Sequence, residues 1–517
     1  MRLLSTTAPG LSGIAARWRE LDARFPWILA LAVAALARLI LVCDRPLWYD
    51  EAFAVLFSDK GPTAMLVGTL TSQAGVAADV HPIFYYTLLW AWQAAFGNGA
   101  LAVRALSIVF GLATVLLGYA LARDLFGERV ARVASLLVAL APFQVHYSQE
   151  ARMYALLGML LFGATLAYWR GLHSGRWRDW AVFGLLAAAA QYAHNLAFVF
   201  LIPLSATSLF LRRWRASVQT LAAGALALAV YAPWLLRLPA QMARIERSYW
   251  IPAPGPADAV RTLLAYLGGL PVPDWGLPVL LAAVTLLVAI AGLTTLRGLR
   301  QRESGAQRAA WLAYLAGAPA LLLFLISQWR PVYLDRALLP AGGMFLLWVA
   351  WALTTRACSG GLVRLGWLAV AIAFALGLFG FYTYRGFPYA PYAALDDDLR
   401  REVQASEIVL HSNKITALPA VYYGPDLAHH YLEDPPGTAS DTLAVATQEV
   451  LGLLADHDAP AAIQDADGVW FVVFRREIEE YRAAGMADHP ALAWLESQMA
   501  LAEVRAYGDL DVYHFMR

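Results

Sequence analysis

The acidic pair Asp50-Glu51 in LWYDEAFAV is the first place in this 517-residue chain where residue type and position suggest chemistry. It follows an apolar run by about two helical turns, so a carboxylate there meets lipid on one side and water on the other. Such a group suits two tasks. It can take a proton from a hydroxyl, worth roughly 10²–10⁴-fold in rate, or it can ligate a divalent cation. By position alone, a solvated acidic turn at a membrane boundary would look the same.

Further along, His81 opens the aromatic stretch HPIFYYTLLWAW (81–92), where it is a cap, a surface residue or a ligand. With Asp79 it can turn toward the same cavity as Asp50. QVHYSQEARMYAL (144–156) brings His146, Glu150, Arg152 and Tyr154 to the boundary between two apolar runs. Ionisable groups at that depth are costly unless they pair or face a polar cavity. Glu150 therefore either serves a site or forms an ion pair with Arg152 or Arg104. Arg104 and Arg336 each open an apolar run, and arginine suits forked recognition of phosphate oxygens; the alternative is snorkelling to headgroups. For Arg38, snorkelling or pairing with Asp44 is favoured. Tyr333 and Asp335 in PVYLDRALLP contact a substrate or cap a helix. His194-Asn195 reads as loop polarity, and Asp396-Asp397-Asp398 as a solvated linker.

The elements that must position these residues follow from composition. Of the residues, 60% are hydrophobic and 15% charged. A soluble chain of this length needs more charge to cover its surface, so the class is integral membrane protein. The net charge of +1 argues nothing about nucleic acid, and no basic stripe interleaved with aromatics offers it a surface, so no nucleic-acid partner is expected. The two cysteines, Cys43 and Cys358, have no metal spacing and are expected on opposite sides of the membrane. Arg17, Arg19 and Arg24 precede an apolar run without an A-x-A cleavage pattern, which predicts a retained first span.

Apolar runs near 26–43, 103–122, 130–146, 153–170, 179–194, 196–211, 217–235, 276–296, 310–327, 337–355 and 365–384 are long enough to cross. Pro82–Phe96 is shorter and aromatic, and suits the headgroup layer. The arginine-rich loops 123–132, 170–179, 211–215, 296–308 and 356–364 fall after every second span only if Pro82–Phe96 does not cross. The expected fold is a polytopic α-helical membrane protein of about eleven spans. Residues 1–25 form a cytoplasmic segment, 26–384 the membrane module with a long first outer loop (44–102), and 385–517 a small outer α/β domain. Strand-like runs at 408–412, 469–474 and 512–516 mark that domain. Arg237, Arg244 and Arg247 break the charge rule by lying in an outer loop, which calls for an anionic ligand or lipid headgroup.

The segments LWYDEAFA, HPIFYY, RALSIVFGLATVLLGYALARDLFG and YSQEARMYAL, with support from YLDRALLPAG, resemble in order and spacing the type-C glycosyltransferases of the protein O-mannosyltransferase and aminoarabinose-transferase group. The resemblance runs from about residue 26 to 215. It implies a bacterial inner-membrane enzyme with a catalytic acid and surface helices in its first outer loop. It also implies a polyprenyl-phosphate sugar donor, an envelope acceptor (lipid, glycan or protein), and inversion at the anomeric carbon. On that basis Asp50 is the base, Glu51 its neighbour, and Glu150 orients the acceptor or helps hold a cation. Arg104 and Arg336 would grip the donor phosphate, with His81, Arg152, Tyr154 and Tyr333 as further substrate contacts. A divalent metal is a candidate cofactor, with Asp50, His81 and Glu150 as its candidate ligands. The family's usual His-Pro-Pro is His81-Pro82-Ile83 here. Alternatives are a transporter or flippase for a lipid-linked sugar, an O-antigen-type ligase or polymerase, and a membrane scaffold. A transporter would place polar groups at mid-membrane, whereas here they gather at the outer rim.

Overall fold

The computed structural model describes residues 25–73, 76–248, 251–356, 358–434, 441–464 and 466–517. Arg17, Arg19 and Arg24 lie outside the described residues. The N-terminal half carries helices α1 (Ile28–Leu39), α2 (Tyr49–Asp59), α3 (Gly61–Leu70), α4 (Phe84–Phe96), α5 (Ala100–Phe126), α6 (Glu128–Leu140), α7 (Pro142–Ser148), α8 (Tyr154–Ser174), α9 (Trp177–Ala193) and α10 (Phe198–Phe210). After them come α11 (Trp214–Leu235), α12 (Leu238–Ser248), α13 (Pro256–Gly268), α14 (Leu277–Arg300), α15 (Ala306–Ile326), α16 (Leu339–Thr354) and α17 (Gly360–Thr383).

Leu- and Ala-rich runs make long helices because both residues lose little freedom in a helix and bury no polar group. Among the described residues, seven helices are long and apolar enough to cross a membrane, and eight if α6 and α7 count as one span bent by 57°. The bend falls where Pro142 opens α7 and interrupts the hydrogen-bond ladder. Helices stand at all the expected positions, but α1, α9 and the stretch Asn195–Phe210 fall short of that length. The count of about eleven is therefore coarser in the structure: a multi-pass protein with seven or eight full-length spans.

The segment Asp335–Thr354 is the axis of the bundle, with 94% of the residues in its most apolar stretch buried, against 28% in an outer helix such as Trp214–Leu235. Arginines of the short loops meet at one end. Arg170 pairs with Asp124 at 2.8 Å, and Arg213 Nη1 donates to the Leu172 carbonyl at 3.0 Å. The candidate site residues gather at the other. Helix α4, within the expected surface stretch, is only 13 residues long and is preceded by a two-strand ribbon, β1 (Ser72–Gln73) with β2 (Val76–Ala77).

Arg38 neither snorkels nor meets Asp44. It is 1% exposed and donates to the Ala34 and Ala139 carbonyls at 3.2 and 2.8 Å, while Asp44 faces Arg385 at 3.7 Å. A Cβ at Gly111 would lie 2.2 Å from Ser148 Oγ and 2.9 Å from Arg38 Nε, so only glycine admits that guanidinium between α1, α5 and α7.

The C-terminal segment opens with α18 (Tyr392–Glu402), followed by β3 (Glu407–His411), α19 (Lys414–Tyr423) and β4 (His429–Tyr431). It continues with α20 (Val445–Leu451), α21 (Ala459–Ile463), β5 (Gly468–Phe474), α22 (Arg475–Ala483), α23 (Pro490–Gln498), β6 (Ala500–Tyr507) and β7 (Leu510–Met516). Its sheet has the order β4-β3-β5-β7-β6, with β3 parallel to β4 and β5, and β7 antiparallel to β5 and β6. All seven residues of β5 are buried, as a central strand requires. The expected strands at 408–412, 469–474 and 512–516 are β3, β5 and β7. The two edge strands went unread: β4 is three residues long, and β6 has little buried on either face. Asp396 corrects the expected solvated linker, because it lies in α18 and is fully buried.

This domain is seated on the first loop. Leu47 N–H donates to Tyr423 Oη at 2.9 Å, Tyr422 Oη–H to the Asn98 carbonyl at 2.7 Å, and Thr447 Oγ1–H to the Gly68 carbonyl at 2.8 Å. Arg45 bridges the end of α17 and the connecting segment 384–391, with its guanidinium 3.9 Å from the Phe381 ring centroid and 5.0 Å from that of Tyr389.

Candidate active site

Asp50 and Glu51 fall in the first turn of α2, where the helix dipole favours negative charge. Successive helical residues project about 100° apart, so the two carboxylates cannot face the same surroundings. Glu51 turns inward and is fully buried. Its oxygens take a forked pair of bonds from Arg104, Nε to Oε1 at 2.8 Å and Nη2 to Oε2 at 2.6 Å. Ala151 N–H donates to the same Oε1 at 2.9 Å. Arg104 spends its remaining donors on the carbonyls of Val42 (2.5 Å), Arg45 (2.8 Å) and Pro46 (3.2 Å). All its N–H groups are thus engaged. The pair clamps the exit of α1, the start of α2, the head of α5 and the turn before α8.

Asp50 turns the other way, toward two arginines. Its Oδ2 is 3.4 Å from Arg336 Nη1 and 3.8 Å from Arg152 Nε. Arg152 Nη1 donates to the Asp50 carbonyl at 3.2 Å and to Tyr86 Oη at 3.1 Å. Both guanidinium Nε atoms are buried without a hydrogen-bond partner. Arg336 lies over the Tyr154 ring, 5.2 Å from its centroid, and the Tyr154 hydroxyl is likewise buried and unpartnered. Asp50 and Arg336 remain 15% and 18% exposed, so this group of charges is not sealed from outside.

Around that centre, His81 Nδ1 bonds Asp79 Oδ1 at 3.0 Å, and the imidazole stays 31% exposed. Burial raises the Asp79 carboxyl, but the charge and hydrogen bond of His81 outweigh it, helped by Arg244 and the Val80 N–H, and hold it at about 2. Glu150 pairs with neither Arg152 nor Arg104; His146 Nε2 takes its Oε1 at 3.0 Å, and its Oε2 is unpartnered. The His146 ring stacks 4.7 Å from Tyr147 and lies 4.7 Å from Phe381. Tyr333 meets Thr262 Oγ1 at 2.7 Å. Asp50, His81 and Glu150 thus have separate partners. Among the described residues, no three His, Cys, Asp or Glu are grouped to hold a metal ion. The candidate ligand set is therefore not assembled here.

Three residues outside the expected set stand beside it. His194 caps the turn after α9, Tyr86 holds Arg152, and Lys414 reaches in from the C-terminal domain. Lys414 Nζ is 5.8 Å from the Tyr49 ring centroid and 3.1 Å from Asp441 Oδ1; Asp441 Oδ2 takes Arg244 Nη2 at 2.8 Å. That ion network answers the charge anomaly for Arg244. The aromatic stretch HPIFYY is the one sequence signal that could have marked Tyr86, and nothing local marks Lys414.

Comparisons with known proteins cover parts of this arrangement by sequence and nearly all of it by fold. Residues 80–236 match the family described as dolichyl-phosphate-mannose-protein mannosyltransferase. That stretch holds His81, Arg104, Glu150, Arg152 and Tyr154, but neither Asp50 nor Arg336. The undecaprenyl phosphate-alpha-4-amino-4-deoxy-L-arabinose arabinosyl transferase of Pseudomonas paraeruginosa (strain DSM 24068 / PA7) is 27% identical over 244 residues, 44% of this chain and 43% of that protein. The alignment thus spans less than half the length of that relative. Crystal structures of ArnT from Cupriavidus metallidurans superpose with a TM-score of 0.62 in the apo state, at 14% identity, covering 95% of this chain and 98% of that one. Bound to undecaprenyl phosphate, the same protein gives 0.60 at 13% identity, covering 94% and 97%. The apo oligosaccharyltransferase of Archaeoglobus fulgidus gives 0.55 at 12% identity, covering 93% and 74%. By local sequence and by the path of nearly the whole chain, this is a multi-pass membrane protein of the type-C glycosyltransferase fold.

Proposed function

We propose that this chain transfers a sugar from a polyprenyl-phosphate donor to an envelope acceptor at the outer face of a bacterial inner membrane, with inversion. The observation that carries the proposal is Asp50 between Arg152 and Arg336, each arginine keeping a buried Nε–H without a hydrogen-bond partner. A phosphate entering there exchanges with the carboxylate as the arginines' partner and satisfies those donors. Asp50, released, accepts the proton of the acceptor's O–H or N–H as that atom attacks the anomeric carbon. The bond from anomeric carbon to phosphate oxygen breaks, and the electron pair leaves with the lipid phosphate between the two guanidinium groups. Fixed cations in a site with little water are the large electrostatic contribution such a step needs.

In this mechanism Arg104 has no donor left for the phosphate, and with Glu51 it positions the helix that carries Asp50. His81, partly exposed, stands where an acceptor enters, whereas Glu150 is buried against His146. The shorter helices α1, α9 and α10 are assigned as further crossings, with the N-terminal side cytoplasmic and the C-terminal domain outside. Asp50→Asn should abolish transfer while membrane insertion and donor binding persist. Full turnover by that variant would remove Asp50 as the base.

A further inference from the structure

His194 occupies the cap of a 3-10 turn, Asn195–Ala197, directly after α9. Its Nδ1 accepts a hydrogen bond from Leu196 N–H at 3.1 Å. A ring nitrogen that accepts carries no proton, so the imidazole is neutral and its hydrogen sits on Nε2. That Nε2–H is buried, in a residue only 5% exposed, and has no partner. The next residue fixes the turn: Asn195 Nδ2 donates to the Val80 carbonyl at 2.7 Å and its Oδ1 accepts from Tyr231 Oη–H at 2.8 Å. His194 is therefore a donor with a fixed direction.

Its neighbours show where it stands. The Tyr154 ring is 5.7 Å away and the His81 ring 6.3 Å. Tyr154 is itself fully buried, with an unpartnered hydroxyl, beneath Arg336. A row thus runs from Asp50 through Arg336 and Tyr154 to His194 and His81. Three buried polar groups in that row, Arg336 Nε, Tyr154 Oη and His194 Nε2, are unsatisfied, which is costly unless a ligand completes them. The guanidinium groups suit phosphate. The neutral Nε2–H and the phenol hydroxyl, set among aromatic rings, suit the uncharged oxygens of a sugar ring.

We infer that His194 and Tyr154 form the subsite that recognises the sugar of the donor, with His194 acting only as a hydrogen-bond donor. This rests on the transferase reading above. The test is equilibrium binding by the purified full-length chain of undecaprenyl phosphate and of undecaprenyl phosphate bearing mannose or 4-amino-4-deoxy-arabinose. Wild type should bind at least one sugar-bearing lipid more tightly than the bare lipid. His194→Asn keeps an oxygen that can cap Leu196 N–H but has no donor at the Nε2 position, and Tyr154→Phe keeps the ring under Arg336. Each should reduce that preference about tenfold, one hydrogen bond's worth, with affinity for bare undecaprenyl phosphate and thermal stability unchanged. Retention of the preference by both variants, or its absence in wild type that still binds the bare lipid, overturns the inference. Wild type binding none of the three lipids overturns the transferase reading, and this inference with it.

Discussion

The forked pair between Glu51 and Arg104 is fully desolvated, and removing one partner leaves the other charged with no water to receive it. Breaking such a pair costs about 3–5 kcal/mol. Glu51→Gln and Arg104→Met should both lower the thermal unfolding temperature of the detergent-solubilised protein, with activity lost in step with the fold. A Glu51→Gln enzyme of native stability but without turnover would instead give Glu51 a chemical role. Arg336 predicts the opposite pattern. It is partly exposed and contacts Asp50 through one long bond of 3.4 Å, so Arg336→Gln should leave the unfolding temperature nearly unchanged. Its turnover should fall about 10²–10³-fold, the usual loss when a charge-stabilising donor is removed. Steady-state kinetics beside a melting curve separates the two cases.

Among the elements, α2 is held from both sides. Arg104 and the turn before α8 grip its inner face, and α19 of the C-terminal domain grips its entry through Tyr423. Tyr423→Phe leaves the buried Leu47 N–H unpaired, a loss of about 1–3 kcal/mol. The expected result is earlier proteolysis of the connecting segment and reduced turnover, with the sheet of the C-terminal domain intact by circular dichroism. Helix α18 carries a pH dependence. Burial pushes the Asp396 carboxyl up to about 8 against the opposing pull of Arg400, with Asp397 and Asp426 adding to the rise. Both its oxygens are without partners. A carboxyl raised in the folded state is neutral there while the unfolded chain ionises near the ordinary value. Its contribution is therefore fully present below about pH 4 and is lost as pH rises toward 8. Asp396→Asn should flatten that decline, and melting curves between about pH 5 and pH 8 would show the gap to wild type widening toward alkaline pH.

For the whole molecule, arginine-rich loops at one end and the acidic and aromatic site at the other predict one sidedness. A cysteine placed at Ala100 in a chain whose exposed Cys43 is changed to serine should react with an impermeant reagent from outside. One placed at Gln301 should react only after the membrane is opened. Labelling of both from the same side would refute the arrangement of crossings. The exposed aromatics Trp275 and Trp329, 66% and 78% exposed, belong at the outer interface in this arrangement, where their amphipathic rings settle.

Much of this was legible in the chain because the signals are local. Span positions follow from apolar runs, and β3, β5 and β7 from short β-branched and aromatic runs bounded by breakers. Asp50, Arg152 and Arg336 stand out in the chain as ionisable residues at the ends of apolar runs. Their pairing does not show there, because a pair 286 residues apart in sequence, such as Asp50 with Arg336, leaves no periodic trace. For the same reason Arg104 reads as a phosphate contact, and only the fold, which sets the head of α5 against the connection from α1 to α2, shows its donors consumed by Glu51 and by the carbonyls of Val42, Arg45 and Pro46. The neutral donor at His194, the buried Asp396 and the reach of Lys414 into the membrane module likewise depend on what surrounds them. Sequence alone determined which residues could do chemistry and at which end of the bundle they stand. Tertiary structure decided which of two adjacent carboxylates is locked in a buried ion pair and which faces Arg152 and Arg336 with some exposure, because burial and charge pairing are properties of neighbours in space.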